Sequence, residues 1–244
     1  MDYSSYPTPP PNTSFYSTLS INYICSSTYA TCVGGTEFND TASPTTYWAS
    51  TNNSSTGESA LSYIPEGGWN EPTTTTGTGF ETSASGGGVS AFITKPSWQS
   101  GTGVPADGFR DVPDVSFSAS GHDGYLSCLA VAGGNCNAGS IEVFAGTSAA
   151  APSMASIAAL LNTKAGKAEG NINALLYKVA ASTSSAIHDV TVASSGVTGC
   201  TTATPSMCNN STPATNSLTG GVAGYLVTTG YDQVTGLGSL DVAN

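Results

Sequence analysis

The 244-residue chain is predicted to fold as a single α/β unit. Three observations predict it. Strand-like stretches at residues 28–38 and 110–120 precede two helical stretches at 149–162 and 171–181. The length suffices for one sizeable core. No internal repeat and no linker divides the chain.

The elements follow in order. Residues 1–20 are rich in Pro and Ser and predict an irregular, surface-following segment. "TYATCVGGTEF" (28–38) reads as a short buried strand broken by Gly34 and Gly35, and residues 40–60 read as polar loop. "SALSYIPEGGWNE" (59–71) mixes apolar and aromatic residues with turn signals, and residues 73–88 form a Thr/Gly/Ser loop ending in "SGGGVS". "RDVPDVSFSAS" (110–120) reads as a strand entering a turn; residues 124–131 and 141–145 suit a hairpin around a cysteine loop. In 149–162, Met154, Ile157, Ala158 and Leu161 recur at helical spacing, and Pro152 is tolerable because it falls in the first turn, whose N–H groups have no internal partners. A second helix over 171–181 turns Leu175, Leu176 and Val179 inward. Residues 182–244 alternate loops and short strands with many glycines.

Composition excludes several partners. Only 9% of residues are charged, Lys plus Arg total five, and the net charge is −11. That leaves no basic footprint for nucleic acid and no polybasic patch for an anionic membrane. No apolar run is long enough to span a bilayer. With 39% hydrophobic residues and a polar remainder of Ser, Thr, Asn and Gly, the surface is solvated by hydroxyls and amides. Such a surface suits low pH, because few carboxylates lose stabilising charge on protonation.

Six cysteines fall as three short-range pairs, Cys25/Cys32, Cys128/Cys136 and Cys200/Cys208. Local pairing is the simplest of fifteen connectivities. An even count with no zinc-type spacing fits an oxidising, extracellular setting. Sequons stand at Asn12, Asn39, Asn52, Asn53, Asn209 and Asn210. The N-terminus has neither the basic nor the apolar region of a signal peptide, so a secreted chain of this composition either lacks its front or starts at an engineered Met1.

"FAGTSAAAPSMASIAALLN" (144–162) carries the chemistry. Ser148 at the mouth of an apolar helix is either an N-cap or a nucleophile, and Thr147 could fill the cap instead. Gly146 allows close approach, Ala149, Ala150 and Ala151 leave room, and a helix N-terminus offers N–H groups to a developing oxyanion. This stretch resembles the nucleophile region of the subtilisin-like superfamily. "VGGTEF", "SGGGVSAFITKPSWQ" (85–99), "GFRDVPDVSFSASG" (108–121) and the Ser148 stretch are similar, in order, to segments of its sedolisin (serine-carboxyl peptidase) family. "HDVT" (188–191) and "TTGYDQVTGLGSLDV" (228–242) are similar to that family's C-terminal calcium-binding region.

The resemblance spans roughly residues 20–244 and implies a subtilisin-like three-layer fold with a mostly parallel sheet, of which this chain holds the C-terminal portion. It also implies endopeptidase cleavage of polypeptides at acid pH through an acyl-enzyme on Ser148. The family activates its serine with a Glu oriented by an Asp on an upstream helix. A further Asp, in a "SGDSG"-type stretch, donates to the oxyanion. Neither feature is present here, so Ser148 alone carries over, its N–H supplying half of the oxyanion hole. The chain is therefore expected to be inactive alone, its partner being a missing N-terminal catalytic half or prosegment.

Other acids and bases compete weakly for these roles. A His-based triad could draw only on His122 and His188, and neither stands in subtilisin order. Glu58, Glu66, Glu71 and Glu81 read as solvated loop residues, and Asp111 and Asp114 as turn caps beside Pro113. Glu142 lies near Ser148 in sequence without implied contact.

The resemblance also implies one Ca2+, held by the Asp189 and Asp232 side chains and the carbonyls of Val190, Thr228 and Gly230, with water completing the shell. The alternative is two Asx-turn residues in loops. The whole of 1–244 is thus expected to be a partial peptidase domain, with 1–20 an irregular start and 182–244 the calcium-binding region. A second reading, from a different class, is a non-enzymatic, calcium-stabilised binding or structural remnant.

Overall fold

In a computed structural model, the described residues are 21–40, 43–70, 74–76, 79–81, 83–121, 124–191 and 225–243. The elements in order are β1 (Val33–Phe38), α1 (Pro44–Tyr47), β2 (Glu66–Gly68), β3 (Thr74–Thr76), β4 (Gly79–Glu81), β5 (Gly88–Thr94), β6 (Phe109–Val112) and β7 (Val115–Ser118). Then follow β8 (Tyr125–Ser127), β9 (Glu142–Phe144), α2 (Thr147–Ala165), α3 (Asn173–Ser182), β10 (Ile187–His188) and β11 (Ser239–Leu240).

A three-stranded sheet, in the order β2-β1-β7, forms the centre. β1 and β7 run parallel, Val33 opposite Val115 and Thr36 opposite Ser118. They are the one parallel pair among the described residues; the other pairs are antiparallel. A mostly parallel sheet is therefore not what these residues display. The two-residue link from β3 to β4 can only return antiparallel, whereas parallel strands need long crossovers.

Gly34 and Gly35 do not break β1 but lie inside it. A Cβ on Gly34 would come within 3 Å of Ser116, Pro113 and Ser85, and one on Gly35 would strike Ala119 and Trp69. The double glycine lets neighbouring chains close on the strand. "RDVPDVSFSAS" gives two strands, β6 and β7, divided at Pro113 because proline has no N–H to donate to a ladder. The expected loop over 73–88 contains the β3–β4 hairpin.

α2 and α3 cover one face of the sheet. Val115, Met154, Ile172, Leu176, Tyr177, Tyr231 and Leu237 form the buried core there. Leu175, expected to face inward, is 39% exposed, while Leu176 and Tyr177 are buried. α2 starts two residues earlier than its apolar pattern shows, after Gly146 at φ 80°, and ends at Gly166 in the left-handed region. Pro152 consequently falls in the second turn, and the Ser148 carbonyl has no helical N–H to accept.

Two of the three local cysteine pairs are bonded, Cys25–Cys32 and Cys128–Cys136. Cys200 and Cys208 lie outside the described residues.

Close packing at "SGGGVS" gives a matched prediction. A Cβ on Gly87 would lie 1.7 Å from the Gln233 carbonyl oxygen, whereas one on Gly86 meets nothing within 4 Å. Gly87→Ala is expected to destabilise the fold by more than about 2 kcal/mol, and Gly86→Ala by less than about 0.5 kcal/mol. Urea denaturation of the two variants checks this; equal midpoints would contradict it.

Candidate active site and metal-ligand loop

Ser148 is the second residue of α2 and is exposed. No side chain caps the helix; Gly146 occupies the cap position. Among the described residues nothing hydrogen-bonds the Ser148 hydroxyl. The first helical bonds, Ala149 N–H and Ala150 N–H, both go to the Gly146 carbonyl, at 2.9 and 3.3 Å. The N–H groups of Thr147 and Ser148 have no acceptor among the described residues. A helix begins with such orphan donors, and here two of them flank a free hydroxyl. A second bond, Gly146 N–H to the Ala119 carbonyl at 2.6 Å, ties this corner to the end of β7. The arrangement offers a nucleophile and oxyanion donors. It offers no base among the described residues. Glu142, exposed in β9, opposes Ser127. His188 stacks on Tyr63, with centroids 3.7 Å apart. His122 lies outside the described residues.

Of the five residues named for calcium, hydrogen bonds join Asp189 with Gly230 and Asp232 with Thr228, and Val190 follows Asp189 in the chain. Asp189 follows β10, and its Oδ2 accepts the Gly230 N–H at 2.8 Å. Asp232 Oδ2 accepts the Thr228 N–H at 3.0 Å. Its Oδ1 accepts the N–H groups of Val234 and Thr235, at 2.9 and 2.8 Å. Gly230 sits at φ +79°, and a Cβ there would come 2.5 Å from the Thr102 carbonyl oxygen. The carbonyls of Val190, Thr228 and Gly230 accept no hydrogen bond among the described residues. Two carboxylates and three carbonyl oxygens with no described donor are, by their chemistry, the oxygen ligands a hard cation takes. Burial pushes Asp232 up to about 6 and raises Asp189 above the usual carboxylate range. Residues 192–224, between Val190 and Thr228, lie outside the described residues.

Three acids differ from their expected surroundings. Glu66 is 7% exposed and accepts hydroxyl hydrogens from Thr36, Tyr63 and Ser239. Asp111 and Asp114 are fully buried; Lys95 pairs with the first and Arg110 with the second. Asp114 does more than cap a turn, because its Oδ2 takes both the Cys32 N–H, 82 residues away in sequence, and the Arg110 guanidinium. Of the other glutamates, Glu58 is exposed, Glu81 lies in β4, and Glu71 is outside the described residues.

No protein-family model matches the chain. Sedolisin of Pseudomonas sp. (strain 101) is 32% identical over 228 residues, covering 93% of this chain and 30% of that protein. Kumamolisin of Bacillus sp. (strain MN-32) is 30% identical over 162 residues, covering 64% of this chain and 24% of its own length. The solved structure of Pseudomonas sedolisin, a serine-carboxyl proteinase complexed with pseudo-iodotyrostatin, superposes with a TM-score of 0.58 at 31% identity. That match covers 91% of this chain and 46% of the sedolisin chain. The chain thus spans less than a third of these curated relatives and under half of the solved one, coverage that fits a C-terminal part. With a subtilisin-like α/β frame, a free serine at a helix mouth and this likeness along nearly its whole length, the chain belongs to the sedolisin family of serine-carboxyl peptidases.

Proposed function

We propose that the complete protein is an acid-acting endopeptidase in which Ser148 attacks the scissile carbonyl and becomes the acyl-enzyme. The observation that carries this is the free Ser148 hydroxyl beside the unclaimed N–H groups of Thr147 and Ser148. As the hydroxyl oxygen bonds to the carbonyl carbon, its proton leaves to a base and the carbonyl electrons move onto oxygen, which the N–H donors receive. The base and the second oxyanion donor are the Glu/Asp pair and Asp of the family, supplied by residues outside this chain. In the complete domain the sheet extends into a mostly parallel, three-layer arrangement, of which 1–244 is the C-terminal part. Exposed apolar surface supports that extension. α2 is rich in alanine, yet it fully buries only Ala150 and Met154 and leaves Leu160 60% exposed. The two disulfides support a secreted setting. No helix among the described residues is long and apolar enough to cross a membrane.

Two preparations assayed on an unstructured polypeptide near pH 4 test this. The isolated chain is expected to show no turnover above background. A version extended by the preceding sedolisin-type segment is expected to cleave. Ser148-dependent cleavage by the isolated chain would overturn the division of labour. Silence from both would favour the second reading, a non-enzymatic, calcium-stabilised binding or structural protein, which the absence of any described base near Ser148 supports.

One Ca2+ is proposed at the Asp189 and Asp232 side chains and the Val190, Thr228 and Gly230 carbonyls. It would cross-link the ends of the segment 192–224 and supply no chemistry to Ser148. The sign of its pH dependence follows from Asp232. Metal-free, the raised carboxyl favours the fold while protonated, a contribution present below the unfolded value and lost as pH rises through about 6. Calcium needs the ionised form. Chelation is therefore expected to lower the melting temperature by on the order of 5–10 °C at pH 7 and by much less at pH 4.5. Melting curves that ignore chelator at both pH values, with no calcium on elemental analysis, would dismiss the site.

A further inference from the structure

A cavity of about 860 Å³ opens where the parallel strands β1 and β7 end. Phe38 closes β1, Phe117 and Ser118 close β7, and all three line it. The crevice beyond the carboxyl ends of parallel strands is where an open α/β sheet takes its ligands. Trp48 and Tyr125 add further rings to the walls. Tyr63, Leu126 and Val242 line it too and are 48%, 69% and 58% exposed, so a large apolar rim faces solvent.

The titratable groups of the lining are engaged. The Glu66 carboxylate accepts hydroxyl hydrogens from Thr36, Tyr63 and Ser239. Asp40 accepts the Trp48 indole N–H, and His188 stacks on Tyr63 beside Asp241. These contacts also fix the rings. Trp48, held by Asp40, lies 6.0 Å from Phe38 and is tilted by 49°. Tyr63 is held by Glu66 and by the His188 face. The walls therefore offer a ligand preset ring surface, which suits another uncharged ring packed edge to face. The carboxylates disfavour an acidic ligand.

The cavity adjoins the Ser148 corner by two routes. Ser118 precedes Ala119, whose carbonyl takes the Gly146 N–H at 2.6 Å, and Gly146 stands two residues before Ser148. Tyr125 pairs with Phe144 across the β8–β9 hairpin, and its hydroxyl is hydrogen-bonded to Ser153. Ser153 lies five residues along α2 from Ser148, a rise of about 7.5 Å. An extended polypeptide whose scissile bond lies at Ser148 advances about 3.3 Å per residue and reaches the cavity within about four residues.

We propose that this cavity is a pocket for one aromatic, uncharged side chain of a polypeptide, such as phenylalanine. The volume is that of a small-ligand site. Its use in selecting substrates rests on the peptidase reading; the binding does not.

Calorimetric titration of the 244-residue chain at pH 7 with N-acetyl-phenylalanine amide and N-acetyl-alanine amide tests the assignment. The phenylalanine compound is expected to bind in the millimolar range, at least about tenfold tighter than the alanine compound. Leu126→Glu with Val242→Glu places charge on the exposed rim and is expected to remove most of that preference with the melting temperature preserved. Ser148→Ala is expected to leave the preference intact. Equal binding of the two compounds, binding of neither up to about 20 mM, or a preference untouched by the double variant would overturn the proposal. The extended protein is expected to bind alike; loss of binding there would show that the added segment fills the cavity, and would overturn it too. In that extended protein, near pH 4, replacing Ala by Phe at one position within about four residues of the cleaved bond is expected to raise kcat/KM at least about tenfold, a gain that the double variant removes. Turnover without any such position would overturn the substrate role. No turnover at all would sink the peptidase reading and leave calorimetry to decide the pocket, so the two fail separately.

Discussion

In a version of the protein extended to carry the acid pair, Ser148→Ala is expected to lower peptidase turnover at least about 10⁴-fold and to leave the melting temperature within about 2 °C. The two halves of this expectation come from one geometry. The hydroxyl makes no hydrogen bond among the described residues, so its removal forfeits none. The helix start is held by Gly146, whose carbonyl takes two N–H groups, and not by the serine. Alanine is also the stronger helix former. The covalent step, in contrast, has no other oxygen to use. Residual activity would reflect the N–H donors and substrate binding, which the substitution spares. Initial rates near pH 4, beside thermal melts of the same preparations, settle it. A loss below tenfold would remove Ser148 from the chemistry. A melting temperature lowered by more than about 5 °C would make it a structural serine.

What the sequence made legible was local. Helical spacing and the flanking glycines located α2 within two residues at its start and three at its end. The short cysteine spacings anticipated both described disulfides, because a loop of seven or eight residues closes over a few ångströms. Gly230 sits at positive φ in a turn that its glycine announces, and its N–H reaches the Asp189 carboxylate 41 residues earlier in the chain. The environments of Glu66, Arg110 and Asp114 were illegible for a physical reason. Glu66 loses its solvent to Ser239, 173 residues away. Asp114 is claimed by Tyr177, 63 residues away. A polar residue in a Gly-rich stretch reads as exposed until distant elements pack over it. The site's base illustrates the complementary limit: motif order names its chemistry, but no side chain among the described residues hydrogen-bonds the Ser148 hydroxyl.

Asp114→Ala is expected to destabilise the fold by about 3–5 kcal/mol, lowering the melting temperature by on the order of 10 °C. Asp114 and Arg110 are both fully buried, with 2.6 Å between Oδ2 and the guanidinium. The same carboxylate accepts the Cys32 N–H at 2.8 Å and the Tyr177 hydroxyl at 3.1 Å. Burial, with Asp114 beside it, pushes the Tyr177 hydroxyl above its usual range, so the ring stays protonated and donates. Three elements therefore depend on one carboxylate: the start of β1, the β6–β7 junction and α3. Among the described residues, its removal leaves a guanidinium in the core with the Asp111 carbonyl and the Trp98 face, 5.0 Å away, to hold its charge. That stranded charge is the larger part of the cost, since the attraction within a buried pair is largely offset by desolvation. Arg110→Met combined with Asp114→Leu is accordingly expected to cost less than Asp114→Ala alone, because no charge is left behind. Chemical denaturation of the single and double variants separates the two accounts. A double variant as unstable as the sum of its singles would show that hydrogen-bonded attraction, not stranded charge, dominates at this junction.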